Sequence, residues 1–287
     1  MNVHTMFNFI GFIKSQRKLL YQEYRKTEEL KGLFQSDKIH TVFQPILSLE
    51  DGCTIGFEIL NRPMQTALFP TTEKFYDFVS RSHDVLFVER YLRHLSIERF
   101  SNQIMISQEH KDQLIFLNIQ AQVLADPNYQ SGKTLELLAK YNISPDRVVL
   151  ELTEKEAVID YQQFEKIIDH YRQQGFRMAV DDAGTGYNSL KTIVYLKPEF
   201  IKIDKSLIRN IDENATQQHL VEILLDFAEQ SGTVVIAEGI ETISELRFLQ
   251  KLGIHLGQGF ALGKPKPNLM NGKLPLKNPS IRKLSLM

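Results

Sequence analysis

Eight short runs rich in β-branched and aromatic residues, mostly separated by stretches of helical period, constrain this chain more than any other feature. They are His40 to Leu49, Cys53 to Leu60, Gln113 to Ile119, Val148 to Thr153, Arg177 to Asp181, Phe200 to Asp204, Thr233 to Glu238 and Ile254 to Gly257. Strands joined through helices pair in parallel, because each helix carries the chain back to the end of the sheet it left. Lys155 to Gln174 and Ala215 to Gln230 read as such crossovers. The first two runs are joined only by Glu50-Asp51-Gly52, and Asp-Gly is a strong hairpin signal, so they pair antiparallel. The predicted fold is α/β, a closed (β/α)8 TIM-like barrel whose first strand runs backwards. An open doubly wound sheet is the alternative.

Composition supports a packed domain of this size. Of 287 residues, 43% are apolar and 24% charged, which is enough to bury a core and excludes general disorder. The net charge of −1 leaves no basic field for duplex nucleic acid. A single cysteine, Cys53, excludes an internal disulfide framework and a cysteine-built metal cage. No run approaches the roughly 20 apolar residues of a membrane span. Met6 to Ile13 is too short and lacks the flanks of a secretory signal, so the expected compartment is the cytoplasm. Residues 1–35 contain no proline and read as a helix. Packing on the domain or a partner is the default, and Lys14, Arg17, Lys18, Arg25 and Lys26 raise peripheral membrane contact as the sharper reading. From Lys264 onward there are six basic residues and no acidic ones, read as a solvated tail. The expected division is a helical segment at 1–35, the main domain at 36–267 and a basic tail at 268–287.

The chemistry is written where the runs end. Glu58, Asn118, Glu151, Asp181, Asp182, Lys202, Glu238 and Gln258 each follow or close an apolar stretch. In a (β/α) barrel the carboxyl ends of the strands form the face on which sites are built. Taken singly, each residue has an ordinary explanation: a solvated strand edge for a glutamate, an outward-snorkelling Lys202, a simple turn at Asp181-Asp182-Ala183-Gly184. Repetition over successive strands argues against coincidence. Five carboxylates at one mouth cannot all stay ionised beside one lysine, so a divalent cation is the natural counter-charge. Oxygen donors without a histidine pair or cysteine cluster favour Mg²⁺ or Mn²⁺, with Ca²⁺ a competitor. The adjacent pair Asp181-Asp182 suggests two ions with one aspartate bridging.

The stretches FQPILSLEDGCTIGFEILNR (43–62), LNIQ (117–120), ELTE (151–154), DDAGTGYNSL (181–190), IKID (201–204), AEGIET (237–242) and QGF (258–260) stand in one order that resembles the EAL domain. That bacterial family hydrolyses cyclic di-GMP to linear pGpG, and the resemblance covers about residues 38–267. It implies that Glu58, Asn118, Glu151 and Asp181 bind a first metal, and that Asp181, Asp182 and Glu238 bind a second. Lys202 would stand beside the attacking water, with Glu238 as its catalytic companion. Gln44, Glu58, Leu60, Arg62, Asp182, Glu241 and Gln258 would contact the nucleotide or line the site, and Glu154 would brace the glycine loop. The resemblance also implies Mg²⁺ or Mn²⁺ as cofactor, Ca²⁺ as inhibitor, and a homodimer. Departures from the pattern are Ile59 for alanine in the signature, Gln120 for serine, and Ala183 for the usual phenylalanine, which bears on loop order and dimerisation. Two other functions stay in view: an inactive EAL domain that senses cyclic di-GMP, and an interaction domain without nucleotide binding. Loss of Arg62, Gln258 and the glycine loop would mark the last, and all are present.

Overall fold

The computed structural model describes residues 3–34, 38–120, 123, 132–153, 161–184 and 189–275. Eight strands close into a barrel in the order β1 to β8. They are β1 (Ile39–Ser48), β2 (Thr54–Pro63), β3 (Leu114–Ile119), β4 (Val148–Thr153), β5 (Arg177–Ala183), β6 (Phe200–Ile203), β7 (Val234–Ala237) and β8 (Leu256–Gly257). Strands β2 through β8 pair in parallel, whereas β1 meets β8 antiparallel, with Leu47 opposite Gly257. The closed barrel with a reversed first strand is therefore the observed fold, and the open sheet is excluded. The hairpin turn is where Asp51-Gly52 placed it: Gly52 takes φ +82° and its N–H donates to the Ser48 carbonyl at 3.0 Å.

Strand periodicity sets what faces inward. Side chains two apart share a face of the sheet. One apolar layer inside the barrel consists of Ile46, Phe116, Val149, Ala179, Phe200, Ile236 and Leu256. Two residues further along each parallel strand or its continuation stand Asn118, Glu151, Asp181, Lys202, Glu238 and Gln258, and Gly56 stands in the same relation to Glu58. On β1, which runs the other way, the matching residue precedes its apolar neighbour: Gln44 before Ile46. A polar layer thus rests on a dry apolar floor. The alternate residues, such as Leu117, Leu150, Val180, Ile201 and Val235, point outward into the core shared with the helices.

Those helices include α3 (Val85–Ile106), α4 (Gly132–Lys140), α5 (Tyr161–Gln173), α6 (Ser189–Leu196), α7 (Lys205–Ile208), α8 (Ala215–Ser231) and α9 (Ile243–Leu252). Asn214 caps α8 through the N–H groups of Thr216 and Gln217, and Gly232 ends it at φ 69°. After β8 the chain returns to β1, where Phe43 and Lys266 exchange backbone hydrogen bonds of 2.8 and 3.0 Å.

The chain divides into two compact units, one of residues 1–40 and 61–84 and one of residues 41–60 and 85–287. The first contains α1 (Val3–Leu33) and α2 (Thr72–Val79), with Thr71 capping α2 by accepting from the Lys74 N–H. Leu30, Leu33, Ile39, Phe69, Phe75 and Val79 are its buried apolar residues. Among the described residues no helix is long and apolar enough to cross a membrane.

Candidate active site

The ammonium of Lys202 lies among four carboxylates. Its Nζ stands 2.8 Å from Glu151 Oε1, 2.8 Å from Glu238 Oε1, 3.3 Å from Asp181 Oδ1 and 3.4 Å from Glu58 Oε2. Lys202 and Glu151 are wholly buried. The flanking isoleucines, Ile201 and Ile203, face the outer core, so the lysine is directed inward and does not snorkel to solvent. Glu58 is held from both sides: Asn118 Nδ2 donates to its Oε1 at 3.1 Å and Gln258 Nε2 to its Oε2 at 2.7 Å.

Burial and charge set the ionisation of the group. Desolvation pushes Glu151 well above the usual carboxylate range; Lys202 opposes this, while Glu58 and Asp181 reinforce it. Desolvation likewise raises Asp181, and it carries Glu238 up to about 8. For Glu58 burial is outweighed by Lys202, Gln258 and Asn118, and its carboxyl lies below the usual value. Lys202 goes the other way: burial would lower it, but Asp181, Glu151, Glu238 and Glu58 together hold it well above the usual lysine value.

Strand β5 carries two adjacent aspartates to the same pocket, which a regular strand could not do. Its register against β6 shifts between Val180 and Ala183, and Asp182 takes φ 56°. The irregularity turns Asp182 toward Asp181, whose Oδ1 accepts from the Asp182 N–H at 2.9 Å. Ligand oxygens of Asp181, Asp182 and Glu238 lie within 4.8 Å of one another. Asp204 caps α7 by accepting from the Ser206 N–H at 2.8 Å, and its carboxyl lies next to that of Asp182.

Both carboxylate oxygens of Glu151 and the Oε1 of Gln258 are buried without an aligned hydrogen bond, as is Lys202 Nζ despite its close ion pairs. Buried oxygens without donors are costly unless a positive partner completes them. With carboxylate and amide oxygens as the donor set, the residues fit a hard divalent cation such as Mg²⁺ or Mn²⁺.

The remaining expected positions are distributed more widely. Gln44 is buried and donates to the Gly263 carbonyl at 3.4 Å, and Leu60 is partly buried. Arg62 is exposed and belongs to the unit that contains α1. Glu241 lies on the loop after β7, ion-paired with Arg209. Glu154 and Thr185 to Asn188 lie outside the described residues. Ala183 is fully buried in the outer core.

Three residues escaped the sequence reading. Asp204 and Arg209 meet Asp182 and Glu241 across loops, which no periodicity encodes. Glu245 had a signal, Thr242-x-x-Glu245, the pattern of a capping box. Its buried carboxylate accepts from the backbone N–H groups of Asn210, Glu241 and Thr242 at 2.9–3.0 Å, fastening the loops after α7 and β7.

The EAL domain profile matches residues 27–265. The probable cyclic di-GMP phosphodiesterase PdeA of Escherichia coli (strain K12) is 34% identical over 137 residues, which are 48% of this chain and 19% of that protein. The probable cyclic di-GMP phosphodiesterase PdeB of the same organism is 29% identical over 241 residues, 83% of this chain and 45% of its own length. The chain thus spans less than half of either relative. A Klebsiella pneumoniae BlrP1 structure, a manganese/cy-diGMP complex at pH 6, superposes with a TM-score of 0.72 at 25% identity, covering 83% of this chain and 59% of that one.

Proposed function

The chain belongs to the EAL domain family, and from that premise we propose that its barrel hydrolyses cyclic di-GMP to linear pGpG. What supports the reading is the convergence of Glu58, Glu151, Asp181 and Glu238 on one buried lysine, with Glu151 Oε2 buried and without a hydrogen-bond donor among the described residues. In this proposal Glu58, Asn118, Glu151 and Asp181 would hold one ion, and Asp181, Asp182 and Glu238 a second. Bound Mg²⁺ or Mn²⁺ would neutralise phosphate oxygens and lower the pKa of a water at the reacting phosphorus. Gln258 and Asn118 fix the Glu58 carboxylate so that it need not reorganise during turnover. Lys202 keeps a fixed positive charge beside the acidic groups and would support the water that attacks in line with the leaving 3′ oxygen. Arg62 would grip the substrate phosphate with two parallel N–H groups, a geometry that lysine lacks. Gln44, Leu60, Glu241 and Gln258 would line the nucleotide. Calcium would occupy the oxygen cage with looser geometry and inhibit. The family reading brings with it a homodimer and action in the bacterial cytoplasm.

The test is incubation of the purified protein with cyclic di-GMP and Mn²⁺ or Mg²⁺, followed by chromatography for pGpG. Glu58→Ala, Glu151→Ala and Asp181→Ala should each abolish product. Turnover by Glu58→Ala at the wild-type rate would overturn the ligand assignment. A second reading, a cyclic di-GMP sensor, draws on Ala183, where the family commonly has phenylalanine. Binding in Ca²⁺ without any product in Mn²⁺ would select it.

A further inference from the structure

Helix α1 carries a surface that nothing in the described chain covers. Every residue from Gly11 to Arg25 is exposed. Six of them are large and apolar, Phe12, Ile13, Leu19, Leu20, Tyr21 and Tyr24, and their exposures lie between 48% and 70%. Four helical turns left bare in this way do not obtain their stability from packing within the chain. At 3.6 residues per turn the six apolar side chains fall within an arc of about 200°, which also contains Gln16, Arg17 and Glu23. Lys14, Lys18 and Arg25 lie outside that arc.

The charge on this segment selects the occupant. Glu23 is the one acidic residue between Val3 and Thr27, and it pairs with Lys26 at 3.4 Å. Lys26 also lies over the Phe78 ring at 5.4 Å. Lys14, Arg17, Lys18 and Arg25 have no acidic partner among the described residues. A second copy of the helix is a poor partner, because pairing would oppose like charges. The heptad seams are also broken: one through Ile13, Leu20 and Tyr24 has Arg17 at a core position, and the other through Ile13 and Leu20 has Gln16 and Glu23. An anionic lipid surface meets both features, accepting a broad apolar arc while its headgroups attract the basic flank. Arg17 can lay its methylene stem along the apolar side and lift its guanidinium to the headgroups.

We propose that residues 11–25 of α1 lie in the plane of an anionic phospholipid surface and attach this chain to it reversibly. The full chain is sedimented with vesicles of phosphatidylcholine alone and of phosphatidylcholine with phosphatidylglycerol. Binding is expected only to the anionic vesicles and is released by 0.5 M salt, since screening removes the headgroup attraction (~0.5 M is well beyond the point where the Debye length falls under 10 Å). Lys14→Gln with Lys18→Gln should weaken it roughly 30-fold, and Leu20→Asp should abolish it, both without change in far-ultraviolet circular dichroism. These positions are exposed, so the folded unit tolerates the changes. Equal binding to both vesicle types, or no binding to either, would overturn the proposal. So would a dimer in sedimentation equilibrium that Leu20→Asp dissolves while vesicles are ignored, because the helix would then have a second copy as its occupant.

Discussion

A lysine with no solvent exposure can stay charged only if its surroundings repay the loss of water. For Lys202 the repayment comes from four carboxylates within 3.4 Å. Removing the ammonium leaves those acids facing one another. Lys202→Ala should therefore destabilise the metal-free protein by about 3 kcal/mol or more, measured by urea unfolding in EDTA, because a buried charge that loses its partner is uncompensated. The same variant should still bind Mn²⁺ in calorimetry while its cyclic di-GMP turnover falls about 100-fold or more. An unchanged rate would remove Lys202 from the proposed chemistry. At this scale the sequence was informative, since a polar residue two positions beyond an inward apolar one is visible wherever a strand is recognised. Asp204 and Arg209 were not legible, because their partners belong to other loops and only the closed barrel brings them together.

The turns that carry these side chains depend on smaller devices. Gln258 is aimed at Glu58 by Gly259, where a Cβ would collide with the backbone of Ile240. Gly259→Ala should lower the thermal midpoint and, if the domain folds, reduce turnover, since the loop after β8 must shift. Glu245 acts on the neighbouring loops. Burial alone would raise its carboxyl, but hydrogen bonds from Asn210, Glu241 and Thr242 hold it below the usual glutamate value. A carboxylate with a lowered folded-state pKa stabilises the fold above its unfolded value, and the benefit is lost as pH falls through the folded value. Glu245→Ala should cost about 1–2 kcal/mol at pH 7, and the gap between variant and wild type should begin to shrink as the pH falls below the unfolded glutamate value of about 4.3 and narrow further as it falls through the lower folded value. Denaturant titrations of both proteins over pH 3–7 would measure it. A gap independent of pH would show that the carboxylate charge is not what fastens the loops. Element boundaries were legible to within a few residues where periodicity is strong, as at β4 and α8. The irregularity in β5 was not, because Asp181-Asp182 reads equally as a strand end and a turn until the register with β6 is known.

For the whole molecule, ions and fold are linked. A ligand that binds only the folded chain stabilises it by mass action, about 2.7 kcal/mol at one hundred times its dissociation constant. Mn²⁺ or Mg²⁺ should raise the thermal midpoint relative to EDTA, and Asp181→Ala, which removes the ligand common to both proposed ions, should abolish the rise. A rise that survives in Asp181→Ala would place the ions elsewhere. The alternation of β-rich and helical segments made the barrel legible, because parallel strands with crossovers have few closed solutions. How the segment after β8 returns to β1 was not legible, since Lys264 to Lys273 have the composition of a solvated tail, yet Lys266 pairs with Phe43 and the Lys273 N–H donates to the Leu262 carbonyl at 2.9 Å.

That return has a consequence for the growing polypeptide. Phe43 leaves the ribosome long before Lys266, and Leu47 long before Gly257, so the reversed strand must wait for almost the whole domain to be translated before its free edge is paired. Until then the acidic cavity has no closing wall, and nascent chains stalled short of Gly257 should remain open to proteases that the finished barrel resists.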